Sequence, residues 1–244
     1  MKLKHLTFSL LVFLVINSCS EDKDSQPDPI TKANITGSVN LYDEGITQVD
    51  NSNMKVKVEG VTPSISAITD VNGKFTLIDV PFGTYTIVYE KLGFGTFKKV
   101  NIEHLNSATA ILNTPSLGKI STTQITNLEA NVSGNNIIIS VTTNPAGNNG
   151  NRRYIRYFLD MDSNVSNESY TYYSLGLISQ INPYQIILSQ NDLTKAGFSS
   201  GQTVNVKVYG DSFWSNEYYD PNLGRNVFPN LNMASVSSVA FVIP

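Results

Sequence analysis

The chain has 244 residues, 41% hydrophobic and 15% charged, with one Cys, two His and a formal net charge of −3. That length supports one or two globular domains with true cores. The counts exclude a disulfide scaffold, a cysteine zinc site and a polytopic membrane protein, and the slight acidity leaves no basic balance to drive counterion release from nucleic acid.

Lys2 and Lys4 precede an apolar run at residues 6–16, LTFSLLVFLVI. As a helix this run spans about 16 Å, short of a hydrocarbon core of about 30 Å, so the spacing predicts a secretory signal over residues 1–18 and not a membrane span. The run ends in Val15-Ile16-Asn17-Ser18-Cys19, which resembles a bacterial lipobox, although Asn17 stands where a small residue is commoner. As the only cysteine, Cys19 has no disulfide partner within the chain. The competing reading is an ordinary thiol, but a thioether to a lipid accounts for both its solitude and its position. The lipoprotein resemblance implies three acyl chains at Cys19, enough for stable anchoring where one chain is marginal. Residues 19–33 are polar, acidic and proline-containing, as a solvated tether should be. Ser20-Glu21-Asp22 looks like the acidic export signal of Bacteroidetes-type surface lipoproteins, which implies an outer-membrane anchor facing outward.

From residue 34 onward, short alternating runs are separated by Gly, Pro, Asn and Asp clusters, which predicts an all-β fold of tandem sandwiches. Residues 35–41, 54–59, 74–78 and 84–90 read as strands with one buried face. In residues 67–97 a turn at Thr69-Asp70-Val71-Asn72-Gly73 offers Asn-Gly for positive φ. Phe75 and Leu77 then alternate inward, Val80-Pro81-Phe82-Gly83 turns again, and Tyr85, Ile87 and Tyr89 share a side. This order of residues resembles the carboxypeptidase regulatory-like, transthyretin-like (prealbumin) sandwich, close to the collagen-adhesin B-type repeat, over residues 34–113. The resemblance implies a seven-stranded spacer or accessory module. Some relatives bind starch-like glycans and some carry a Lys–Asn isopeptide bond. Residues 35–42, read as the first strand, contain no lysine, so that bond is not expected. The zinc ligands of a carboxypeptidase catalytic domain are missing as well.

The small, turn-forming residues TPSLGKIS at 114–121 suit a domain boundary. Beyond it, residues 137–141, 154–159, 170–174, 184–188, 204–209 and 236–242 read as strands of a second sandwich over residues 120–244. A short helix is expected at 190–196. The second sandwich looks like an immunoglobulin or fibronectin type III relative by strand count and spacing alone.

Three clusters could carry chemistry. His104, in Asn101-Ile102-Glu103-His104-Leu105, has no metal-ligand spacing and reads as a surface histidine at a strand end. Asp160, Asp162, Asn164 and Glu168 place oxygens at nearly alternate positions, as a Ca²⁺ loop does. Val165 and Thr171 depart from the glycine and glutamate of an EF-hand, so a solvated turn competes with calcium there. Phe213, Trp214, Tyr218 and Tyr219 fall in what reads as a long loop reaching Pro229. Such a loop either presents rings to a glycan or protein or folds back over the sandwich end. The expectation is a non-enzymatic, membrane-anchored binding or scaffold module at the cell surface, without nucleic-acid partners. The leading alternative is a glycan-binding accessory subunit of a polysaccharide uptake system, and a carboxylate-dependent hydrolase is a third reading.

Overall fold

The computed structural model describes residues 30–244, and the expectations for the leader, for Cys19 and for the tether up to residue 29 lie outside them. Over the first half, alternating apolar residues form β1 (Lys32–Ser38), β2 (Asn40–Tyr42), β3 (Lys55–Val58), β4 (Ser66–Ile68), β5 (Lys74–Pro81), β6 (Gly83–Glu90), β7 (Thr96–His104), β8 (Thr109–Ala110) and β9 (Ser116–Gly118). They pair as a four-stranded sheet β4-β3-β6-β7, a three-stranded sheet β5-β1-β8 and a parallel pair β2-β9. Ile35, Val56, Phe75, Leu77, Ile87 and Tyr89 meet in one core. The turn before β5 forms around Asp70, whose Oδ1 accepts from the N–H groups of Asn72 (2.9 Å) and Lys74 (2.8 Å). Gly73 closes it at φ +75°, and a Cβ there would lie 2.0 Å from the Val39 carbonyl oxygen, so only glycine fits.

The alternation of β5 then slips by one residue. Ala33 pairs with Val80 and Ile35 with Leu77, so Ile78 and Asp79 together oppose Asn34. Asp79 takes φ +55°, and its N–H donates to Asn34 Oδ1 at 3.1 Å. This bulge brings Val80, instead of Asp79, into the core.

The second half comprises β10 (Gln124–Ser133), β11 (Asn136–Asn144), β12 (Arg153–Asp160), β13 (Tyr172–Tyr173), β14 (Leu177–Ser179), β15 (Tyr184–Ser189), α1 (Gln190–Lys195), β16 (Thr203–Asp211), β17 (Tyr218–Asp220), β18 (Arg225–Val227) and β19 (Val239–Val242). A sheet β10-β11-β15 faces a sheet β13-β12-β16-β19, with β14 also on β12, across a core holding Ile137, Ile139, Ile155, Val206 and Phe241. The helix stands where its spacing predicted. Ser189 caps it: its hydroxyl accepts from the Asp192 N–H, and the Asp192 carboxylate accepts from the Ser189 N–H at 3.0 Å.

The architecture is all-β and multi-sheet, as expected, with a separate core in each half. Thr31–Pro244 nevertheless make one compact unit. Several local expectations are corrected. The 114–121 segment contains β9, which lies parallel to β2 and buries Leu117 in the first core. The first strand begins at Lys32, so it does carry a lysine, whose ammonium pairs with the Asp79 carboxylate at 2.6 Å. His104 is fully buried, because β7 ends beneath Phe82. Its Nε2 donates to the Val80 carbonyl (3.1 Å), and its Nδ1 lies 2.7 Å from the Thr109 hydroxyl. The long loop expected up to Pro229 contains the β17–β18 hairpin, and Phe228 after it is buried.

Candidate functional site

The seam between the halves is where the expected aromatic segment lies. Strand β16 ends at Asp211, and residues 212–217 run along the first half. The Phe213 N–H donates to the Glu44 carbonyl at 2.9 Å, and the Ser212 hydroxyl donates to the Lys119 carbonyl. Asn216 adopts φ +51° and inserts its amide between the turn at Phe94 and the end of β9. Its Nδ2 donates to the carbonyls of Phe94 (2.7 Å) and Gly118 (3.0 Å), while its Oδ1 accepts from the Gly118 N–H at 2.8 Å. Asn230 adds donations to the carbonyls of Gly118 (2.6 Å) and Lys119 (2.9 Å). Buried amides bonded this way hold two backbones at one spacing. That spacing is tight: a Cβ on Gly118 would lie 2.5 Å from the Trp214 carbonyl oxygen.

The four aromatic residues separate in space. Phe213 and Trp214 pack edge to face, with centroids 5.2 Å apart. Trp214 leans on Tyr42 of β2 (5.1 Å), and Phe213 meets Tyr154 of β12 edge-on (5.7 Å). Tyr218 packs edge-on against Phe97 of β7, at 5.9 Å. Burial pushes the Tyr218 phenol up from its ordinary value, against the pull of nearby Lys98. Tyr219, the next residue of β17, is exposed. So two of the four rings, Trp214 and Tyr218, join the halves, while Phe213 keeps 43% of its surface in solvent.

Two grooves open along the seam. One of about 430 Å³ is lined by Phe97, residues 113–117 and residues 213–217. A second, of about 670 Å³, is walled by Asp43, Glu44 and Thr47 from the first half and by Asn149, Arg152 and Tyr154 from the second, with Lys119 between them. Phe213 belongs to the first groove and touches Tyr154 of the second.

Behind the seam lies a charged group that sequence reasoning missed. Arg156 is 2% exposed and donates to Asp211 Oδ2 (2.8 Å) and to the Ser174 carbonyl (2.7 Å), with Glu217 at 3.2 Å. Its guanidinium lies 4.8 Å from the centre of the Phe228 ring. Tyr173 donates to Glu217 Oε1 at 2.8 Å. Burial, then the Glu217 carboxylate, pushes its phenol up to about 12. An arginine inside the run RYIRYFLD was the available signal, because it demands an acid on a second covered face.

The expected calcium cluster is spread along a turn. Asp160 Oδ1 accepts from the Asp162 N–H (2.9 Å) and Asp162 Oδ1 from the Asn164 N–H (2.8 Å), while Thr171 donates its hydroxyl to Asp160 Oδ2 (3.0 Å). Glu168 lies 4.0 Å from Arg225. Val165, at the position where an EF-hand has glycine, is buried with Phe158, Tyr209, Phe228 and Leu231. Among the described residues no three His, Cys, Asp or Glu side chains converge to hold a metal.

No family model matches the chain, and no curated protein does. Among solved structures it is similar to a Bacteroides uniformis protein whose suggested role is carbohydrate binding. That likeness has 14% identity and a TM-score of 0.31, over 88% of this chain and 99% of that one. A DUF3823 family protein from Bacteroides ovatus matches at 14% identity and TM-score 0.29, over 87% of this chain and 100% of that one. A chain of a type II cohesin–X-dockerin complex from Acetivibrio cellulolyticus matches at 22% identity and TM-score 0.29, over 36% of this chain and 58% of that one.

Proposed function

We propose that the chain is a non-enzymatic binding or scaffold module, tethered to the outer membrane through a lipid on Cys19 and facing outward. In this reading the first half is a prealbumin-like spacer and the second an immunoglobulin-like presenter of loops. The observation that carries it is the Asn216 clamp, whose three buried bonds to Phe94 and Gly118 fix the halves as one body. Loops from both halves are thereby held side by side along a shared seam. Rigid presentation lowers the ordering cost of binding. A glycan is the favoured ligand because Phe213 is half exposed beside grooves lined by amides, carboxylates and guanidinium groups. Rings stack on sugar C–H faces, and such polar side chains bind hydroxyls.

The test is affinity electrophoresis of the purified chain through gels containing neutral or acidic polysaccharides. Retardation weakened by Phe213→Ala is the expected result. Mobility unchanged in every gel defeats the glycan reading, and hydrolysis of any of these polymers defeats the non-enzymatic one. Labelled palmitate incorporated by cells expressing the native chain, and lost on Cys19→Ser, is expected for the anchor.

A further inference from the structure

We infer that the 670 Å³ groove at the seam is a binding site for the carboxylate groups of an acidic saccharide, such as a polyuronate. This rests on the glycan reading and goes further, since it assigns the ligand's charge and the residues that select it. The chain as a whole is acidic, with a formal charge of −3, yet this groove brings together Lys119, Arg152 and Arg153. Its two acids are already engaged. Asp43 Oδ1 accepts from the N–H groups of Gly45 (2.7 Å) and Thr47 (3.1 Å). The Glu44 carboxylate accepts from the Thr122 N–H (2.8 Å), the Thr122 hydroxyl (2.6 Å) and the Ser121 hydroxyl (3.3 Å).

The cations are engaged far less. Arg153 has Glu44 at 3.9 Å and donates to Asn151 Oδ1 at 2.7 Å. Lys119 and Arg152 are exposed and have no acid within 4.0 Å among the described residues. With Lys119, Arg152 and Arg153 against Asp43 and Glu44 the groove carries an excess of cations, and the complementary group is an anion that only accepts. A guanidinium recognises a carboxylate in this way through paired N–H bonds. A saccharide fits better than an acidic peptide because the same groove offers the Asn149 amide, and Phe213 meets its wall edge-on at Tyr154 with nearly half its own surface in solvent.

The experiment titrates polygalacturonate, neutral dextran and poly-glutamate into the full-length chain, the double variant Lys119→Glu/Arg152→Glu, and Phe213→Ala. Exposed charge reversals leave the fold intact, and an unchanged Tm verifies this. Polygalacturonate binding that falls about tenfold or more on charge reversal, and weakens with added salt, is expected. Binding of polygalacturonate that ignores the reversal, or of dextran equally well, overturns this inference while leaving the glycan reading standing if Phe213→Ala still weakens it. Poly-glutamate bound as tightly and lost on reversal overturns the saccharide assignment. Binding of none of the three overturns the inference outright.

Discussion

In the first half a strand such as β5 is one-sided: Phe75 and Leu77 are buried, while Lys74, Thr76 and Ile78 stay in solvent. In the second half β12 is covered on both sides. Ile155, Tyr157 and Leu159 enter the main core, and Phe158 enters a second cluster with Tyr209, Phe228 and Leu231. The cover over that second face is chain outside the sheet, including Tyr170, Val165 and the segment around Phe228. The same covering chain supplies Asn216 and Asn230, so the layer that completes the second half also joins it to the first. One-sided sheets need only a facing sheet; a two-sided strand needs a further layer, and here that layer is the joint.

The largest test of this contrast is Arg156→Ala. It leaves Asp211, wholly buried, without its cation, and about 3–5 kcal/mol of stability should be lost. Amide exchange should accelerate in β12 and β16 while β1, β3 and β6 keep their protection. Equal acceleration in both halves would show one cooperative unit and break the comparison. Removing both charges with Arg156→Met/Asp211→Leu should recover much of the loss.

Asn216→Ala comes next, at about 2–3 kcal/mol, since it strands the Gly118 N–H and the Phe94 carbonyl, while the Gly118 carbonyl keeps Asn230. Its signature is faster exchange at the Gly118 amide with both cores still protected. The smallest effect is Ser189→Ala, about 1 kcal/mol for a helix cap, confined to α1 and its surroundings. The Ser189 hydroxyl, then its N–H, holds the Asp192 carboxyl below its ordinary value of 3.8. A lowered carboxyl contributes stability above that value and loses it as pH falls through the folded one. Melting curves of wild type and Ser189→Ala should therefore differ most at neutral pH and draw closer in acid, without meeting, since the Asp192 N–H bond to the hydroxyl does not titrate.

Much of the first half is legible in its sequence, because one-sided strands alternate: the runs around Val56 and Phe75 each give their strand, and Asp70 with Gly73 gives the turn. Strand β10 is not, since only Ile125 and Leu128 of QITNLEANVS are buried, and the ladder to β11 holds a mostly polar edge. Strand β7 hides likewise behind Lys98 and Lys99. The bulge at Asp79 depends on a partner 45 residues away, which no local pattern announces. At the site, the aromatic segment stands out by composition, but its role as a joint depends on the Asn216 amide bonds, which span 98 and 122 residues. Hydrogen bonds of that reach leave no periodicity to read.

The parallel pairing of the first strands dictates an order of events during synthesis. Ile35 lies beside Thr109, and Leu41 beside Leu117. A nascent chain therefore carries β1 and β2 with a vacant edge until residues through 118 have emerged from the ribosome, a period in which pairing with another chain competes. Chains halted before that point should be captured by a holdase, and those halted just after it released.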